Sequence, residues 1–125
     1  MNLLITGATG FVGSNLSRFF VSKDHSVTIV VREKSSFLNI EDIKDQINVV
    51  VYDGTIDSLQ KGMVKYNIDT VLHLASLFIA EHTEEQVDAL LQSNIVMGTH
   101  LLEAMRICGV KRLINTGTSW QYYHQ

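Results

Sequence analysis

Three glycines at successive steps of three, Gly7, Gly10 and Gly13, follow an apolar run, Leu3-Leu4-Ile5, and a threonine, Thr6. An apolar run that breaks into glycines and then into an amphipathic segment reads as a strand, a tight turn and a helix start. Gly7 lets the chain turn sharply, Gly10 leaves no side chain where backbone would approach a pyrophosphate, and Gly13 lets the helix pack closely on the strand. The helix N-terminus then offers unpaired N–H groups and the positive end of its dipole to an anion, with Thr9, Phe11 and Val12 completing the cradle. A glycine-rich turn with no ligand would share the three glycines. The strand before them and the helix after them favour the phosphate cradle.

A second group of candidates stands where a second strand ends, in Val31-Arg32-Glu33-Lys34. In dinucleotide sites an acidic residue here holds the ribose hydroxyls, whereas an arginine accommodates a 2′-phosphate. Arg32 comes first and could pair with that phosphate and stack on adenine. The order favours NADP over NAD; Lys34 adds to this and Glu33 counts against it. A solvated cluster of loop charges is the other reading. The five histidines show no metal-ligand spacing with one another or with the single cysteine, Cys108, so no metal is expected. His73 ends an apolar run and reads as a satisfied structural histidine rather than a base. Cys108, near the end of a helix, reads as a small buried hydrophobe rather than a reactive thiol.

The elements that must position these residues alternate along the chain. Strands are expected at 2–6, 26–31, 47–52, 70–74 and 112–116, with helical patterns between them, which is the signature of βαβ units and a parallel sheet. Phe11, Val12, Leu16, Phe19 and Phe20 fall on one face of the first helix. A weaker helical turn covers 40–47, and a helix over 58–66 takes Asp57 as its N-cap. The longest helix starts at a capping box, Thr83 with Gln86, and stops at Gly109. Its expected inner stripe is Val87, Leu90, Leu91, Leu101, Leu102 and Met105. Asn94 and Gly98 interrupt that stripe. A buried amide needs hydrogen-bond partners and a helical glycine costs about 1 kcal/mol against alanine, so both imply close approach to a strand or a ligand-bearing loop. Right-handed crossovers give the strand order 3-2-1-4-5, with a crevice at the switch point between strands 1 and 4.

Composition narrows the class. At 125 residues, 46% hydrophobic and 18% charged, the chain is one globular domain's worth. A net charge of −3 without a long basic run argues against a nucleic-acid surface or a polybasic membrane anchor. No apolar stretch approaches the roughly 20 residues needed to span a bilayer. The start, Met1-Asn2-Leu3-Leu4-Ile5, lacks a basic segment and runs straight into the glycine motif, and one cysteine makes no intrachain disulfide. Both lead to the expectation of a cytoplasmic protein without a signal peptide.

The Gly-x-x-Gly-x-x-Gly spacing behind Thr6 resembles the extended short-chain dehydrogenase/reductase family of nucleotide-sugar epimerases, dehydratases and reductases. The resemblance covers nearly the whole chain and implies a Rossmann-type parallel sheet with flanking helices, cut before its second half and the substrate lobe. It also implies an NAD(P)-dependent enzyme with a nucleotide-sugar substrate and a homodimer built on sheet helices. His73-Leu74-Ala75-Ser76 is similar to the family's His-Leu-Ala-Ala, so Leu74, Ala75 and Ser76 are expected to lie against the dinucleotide, Ser76 being a mild departure. Asp53 falls where the family's aspartate contacts the adenine amino group; a turn-forming Asp-Gly is the other reading. Asn94 and Gly98-Thr99 match the family's Asn-x-x-x-Gly-Thr, with Asn94 as a structural amide bracing the active-site strands. In the tip Asn115-Thr116-Gly117-Thr118-Ser119-Trp120, Thr118 takes the place of the catalytic hydroxyl and Thr116 that of a nicotinamide-pocket residue, Gly117 standing where a hydroxyl is usual.

The family's Tyr-x-x-x-Lys does not occur here: Tyr66 is followed four places on by Thr70, and Tyr122 and Tyr123 stand too close behind Thr118. The expectation is the first part of a longer enzyme that, as this piece alone, binds cofactor weakly and turns nothing over. A non-catalytic dinucleotide-sensing module, or a small domain acting through its sheet edge, are the alternatives from other classes.

Overall fold

Each apolar run becomes a strand because the segment after it folds back over the sheet and buries one of its faces. In the computed structural model, which describes residues 1–119, the order is β1 (Asn2–Thr6), α1 (Phe11–Val21), β2 (Ser26–Val31), a 3₁₀ segment (Leu38–Gln46), β3 (Asn48–Val51), α2 (Ile56–Lys65), β4 (Thr70–His73), a 3₁₀ turn (Glu84–Gln86), α3 (Val87–Leu91), a π-helical turn (Gln92–Val96), α4 (Met97–Cys108) and β5 (Arg112–Asn115). Trp120, Tyr122 and Tyr123 lie outside the described residues. The five strands are parallel in the order β3-β2-β1-β4-β5. This is the parallel sheet that the alternation implied, in the order expected of right-handed crossovers, and the Rossmann type that the resemblance implied.

Alternate residues of the strands feed two cores, one on each face. Leu3, Ile5, Val27, Ile29 and Leu72 pack with Ile40 and Ile43 of the 3₁₀ segment and with Leu16 and Phe20 of α1. Leu4, Val30, Val50 and Val71 pack with Leu59 and Met63 of α2 and with Met97, Leu101 and Met105 of α4. Three layers therefore enclose the strands on both faces. The exception is β5, which pairs with β4 and is exposed along its length.

Three local expectations change. On α1 the buried residues are Gly13, Ser14 and Ser17, while Phe11, Val12 and Phe19 are exposed and only Leu16 and Phe20 of the predicted face meet the core. Small residues win because they let the helix axis approach the sheet. Asp57 does not cap α2; Thr55 does, its Oγ1 accepting from Ser58 N–H at 3.3 Å, and Asp57 instead pairs with Lys61 one turn on at 2.6 Å. The capping box at Thr83 and Gln86 and the left-handed stop at Gly109 (φ 71°) form as read. The long helix, however, is not one stripe. Its wide turn at Gln92–Val96 resets the phase, so Leu101 and Met105 are buried while Val87, Leu91, Asn94 and Leu102 are exposed.

One carboxylate ties the strand starts together. Asp69 accepts from the backbone N–H of Asn2 at 2.8 Å, from the Thr70 hydroxyl at 2.6 Å and from Arg112 at 2.7 Å, and these bonds, the Thr70 one first, hold it below the usual aspartate range. Asp69→Ala leaves the Asn2 N–H, part-buried at the mouth of β1, without its acceptor. A loss of about 1–2 kcal/mol is expected from the urea midpoint at pH 7. The same midpoint in wild type and variant would remove Asp69 from the account.

Candidate functional site

The carboxyl ends of β1, β2 and β4 open into one cleft of about 330 Å³. Of the residues singled out by sequence, Gly7, Thr9, Gly10, Arg32, Leu74, Ala75 and Ser76 all face it. Gly7 carries φ +71°, and a Cβ there would stand 2.8 Å from the backbone of Leu74 and Ala75. The glycine turn and the segment after β4 are thus in backbone contact at the switch point. Gly10 caps α1 with extended backbone (φ −80°, ψ 176°); among the described residues no side chain caps the N–H groups of that helix end, and no acidic residue stands in its first turn. Phe11, Val12 and Gly13 form that first turn. These are the terms on which a helix N-terminus holds a phosphate group.

A hydroxyl beneath the turn organises the opposite wall. Thr6 Oγ1 accepts from the N–H groups of Leu74 (3.2 Å) and Ala75 (3.1 Å) and lies 2.7 Å from His73 Nδ1. With both its lone pairs engaged, its single proton goes to Nδ1, so His73 is neutral with its own proton on Nε2. Burial also holds His73 below the usual histidine range. His73 is therefore a structural histidine, and Gly98 is the residue that makes room for it: a Cβ on Gly98 would sit 3.3 Å from Nε2.

Asn94 lies within the π-helical turn and is exposed, contrary to the buried amide expected. It nevertheless spends both ends of its amide on one residue after β4, accepting from Leu77 N–H and donating to the Leu77 carbonyl, each at 2.8 Å. Its partner is the loop after β4 and not a strand, contrary to the bracing of strands expected. Gln92 and Ser93 of the wide turn, with Ala89 of α3, also line the cleft, and a regular helical stripe gives no sign of them.

Arg32, Glu33, Lys34, Asp53 and Gly54 line an outer chamber that shares Arg32, Ser35, Tyr52 and Gln92 with the cleft. Arg32 makes no side-chain hydrogen bond or ion pair with the described residues, which leaves its guanidinium for a ligand. Asp53 Oδ1 accepts from the Thr55 hydroxyl (2.6 Å) and N–H (3.0 Å), and those bonds keep the carboxyl below the usual aspartate range. Tyr52, unremarked in the sequence, joins the two chambers. Its hydroxyl meets His100 Nδ1 at 2.9 Å, and burial, with the Asp53 charge, raises its pKa. Beyond β5, the Thr116 hydroxyl donates to the His73 carbonyl at 3.2 Å and its N–H does so at 3.1 Å, so Thr116 ties β5 to β4. Thr118 stands past the same strand end, outside the residues that line the cleft.

The fold is shared by a known group of proteins. The chain is 31% identical over 128 residues to a dTDP-D-glucose 4,6-dehydratase of Dictyostelium discoideum, an alignment covering 96% of this chain and 29% of that protein. It is 28% identical to a UDP-glucose 4-epimerase of Corynebacterium glutamicum, covering 98% of this chain and 36% of the relative. It therefore spans about a third of the length of these curated relatives. A solved UDP-glucose 4-epimerase from Stenotrophomonas maltophila, with bound NAD and formylated UDP-arabinopyranose, superposes with a TM-score of 0.86 at 28% identity, over 98% of this chain and 38% of that one. Residues 3–124 match the model of the NAD-dependent epimerase/dehydratase family, and the chain belongs to that family.

Proposed function

We propose that this chain is the dinucleotide-binding part of a nucleotide-sugar epimerase, dehydratase or reductase. The observation that carries the proposal is the cleft at the switch point, where Gly7, Gly10, Leu74 and Ala75 bring bare backbone together in front of the α1 N-terminus. A nicotinamide dinucleotide bound there would supply hydride transfer at a sugar carbon. The residues of the chain then have separate tasks. The first turn of α1 holds the pyrophosphate, with Gly10, Phe11, Val12 and Gly13 supplying backbone. Asp53 receives the adenine amino group, and Leu74, Ala75 and Ser76 shape the wall at the nicotinamide half. Thr116 fixes the β5 tip beside it, and Thr118 orients the oxygen on the reacting sugar carbon.

Arg32, whose side chain has no hydrogen-bond or ion-pair partner among the described residues, favours NADP. Exposed Leu91, Ile95 and Leu102, four and seven residues apart on the long helix, support a homodimer through that face. A single cysteine supports a cytoplasmic location.

Titration of the full protein with NADP and NAD tests the cofactor reading, and turnover of UDP- and dTDP-sugars tests the enzyme. Tighter binding of NADP is expected, with Arg32→Ala weakening NADP about tenfold and NAD by less than about twofold, the signature of a lost charge-assisted contact to the 2′-phosphate. Equal losses for both would assign Arg32 to adenine alone. Binding without turnover of any nucleotide sugar would favour a sensing module over an enzyme.

A further inference from the structure

Neither Asn39 nor Arg18 lines the cleft, yet together they reach its most sensitive peptide. Asn39 Nδ2 donates to the Thr9 carbonyl at 2.8 Å, while the N–H on the other end of the same peptide, that of Gly10, donates to the Gly7 carbonyl at 3.1 Å. A peptide unit is a rigid plane, so bonds at both ends fix its orientation. Gly10 has little conformational preference of its own, and the orientation of this plane sets where the first N–H groups of α1 point. Asn39 is itself held. Its carbonyl accepts from Arg18 Nη2, and Arg18 forks the Asp42 carboxylate with two bonds of 2.7 Å. Because Arg18 sits two turns along α1, the helix whose N-terminus forms the cradle also anchors the side chain that steadies it.

We propose that Asn39, held by the Arg18–Asp42 pair, is a positioning residue for the pyrophosphate of the bound dinucleotide. The inference rests on the dinucleotide reading above and adds to it a residue in the segment after β2 that acts without touching the ligand. Preorganisation of this kind stabilises binding by removing the cost of ordering the loop when the ligand arrives.

The test uses the full protein as wild type, Asn39→Ala, Arg18→Gln and the double variant, with affinities for NADP, NAD and adenosine measured by calorimetry or competition. Asn39→Ala is expected to weaken both dinucleotides about fivefold, the value of one hydrogen bond, and to leave adenosine, which has no pyrophosphate, unchanged. Arg18→Gln should act in the same direction, and the double variant should bind no worse than Asn39→Ala alone, because the residues act in series. Unchanged dinucleotide affinity in Asn39→Ala overturns the inference, as does an equal loss for adenosine, which would mean a general structural effect. A wild type that binds neither dinucleotide overturns the parent reading and this inference with it.

Discussion

Gly13→Ala is expected to destabilise the fold by about 3 kcal/mol and to abolish dinucleotide binding, whereas Gly10→Ala should cost less than about 1 kcal/mol and still lose the ligand. The surroundings of the two glycines decide this. A Cβ on Gly13 would overlap the Gly7 carbonyl oxygen and stand 2.7 Å from Ala8 Cα, all backbone atoms that no rotamer change can move. α1 would have to lift off β1, opening the contact that Gly13 and Ser17 make by being small. A Cβ on Gly10 meets nothing closer than the Gly7 carbonyl oxygen at 3.3 Å, and Gly10 is exposed. The fold has no strict need of a glycine there; a ligand pressed against the turn does. Urea midpoints and NADP titrations of the two variants separate the roles. A stable Gly13→Ala protein with intact binding would refute the packing argument, and intact binding in Gly10→Ala would move the pyrophosphate away from that residue.

The same comparison explains what could be read from sequence. Strand order, the glycine turn and the capping box at Thr83 are set by local chemistry or by the handedness of crossovers, and both leave marks on neighbouring residues. The buried face of α1 leaves no such mark, because apolarity pointed to Phe11 and Phe19 while close packing selected Gly13, Ser14 and Ser17. The π-helical turn is similarly silent: one wide turn breaks the period on which a helical stripe depends, so a regular stripe puts Asn94 in the core and gives no sign of Gln92 and Ser93 at the cleft. Tyr52 and Asn39 act through partners 48 and 30 residues away, a relation visible only once the chain has folded.

Thr6→Val should cost about 3 kcal/mol, with Thr6→Ser close to wild type. Thr6 is fully buried, and valine keeps its shape while removing the oxygen that serves three groups. Leu74 N–H retains a second acceptor in the Thr6 carbonyl at 3.3 Å, so the cost falls on Ala75 N–H and His73 Nδ1, each left without its partner at the head of β4. Serine restores both bonds. Since Ala75 lines the cleft, Thr6→Val should also weaken NADP more than the loss of stability alone explains. The neutral His73 adds a dependence on pH. Its pKa in the fold lies below the unfolded value because burial disfavours the charged ring, so the stabilisation is complete above about pH 6.5 and is lost as pH falls through that value toward the lower folded one. His73→Asn keeps an acceptor for the Thr6 hydroxyl and cannot titrate. Urea midpoints at pH 7.5 and pH 5 should therefore fall further for wild type than for His73→Asn. The depressed carboxylates, Asp53 and Asp69, do not disturb this comparison, since their contributions are lost only at lower pH and are common to both proteins. Parallel pH profiles would show that the fold does not favour the neutral His73 ring over the charged one.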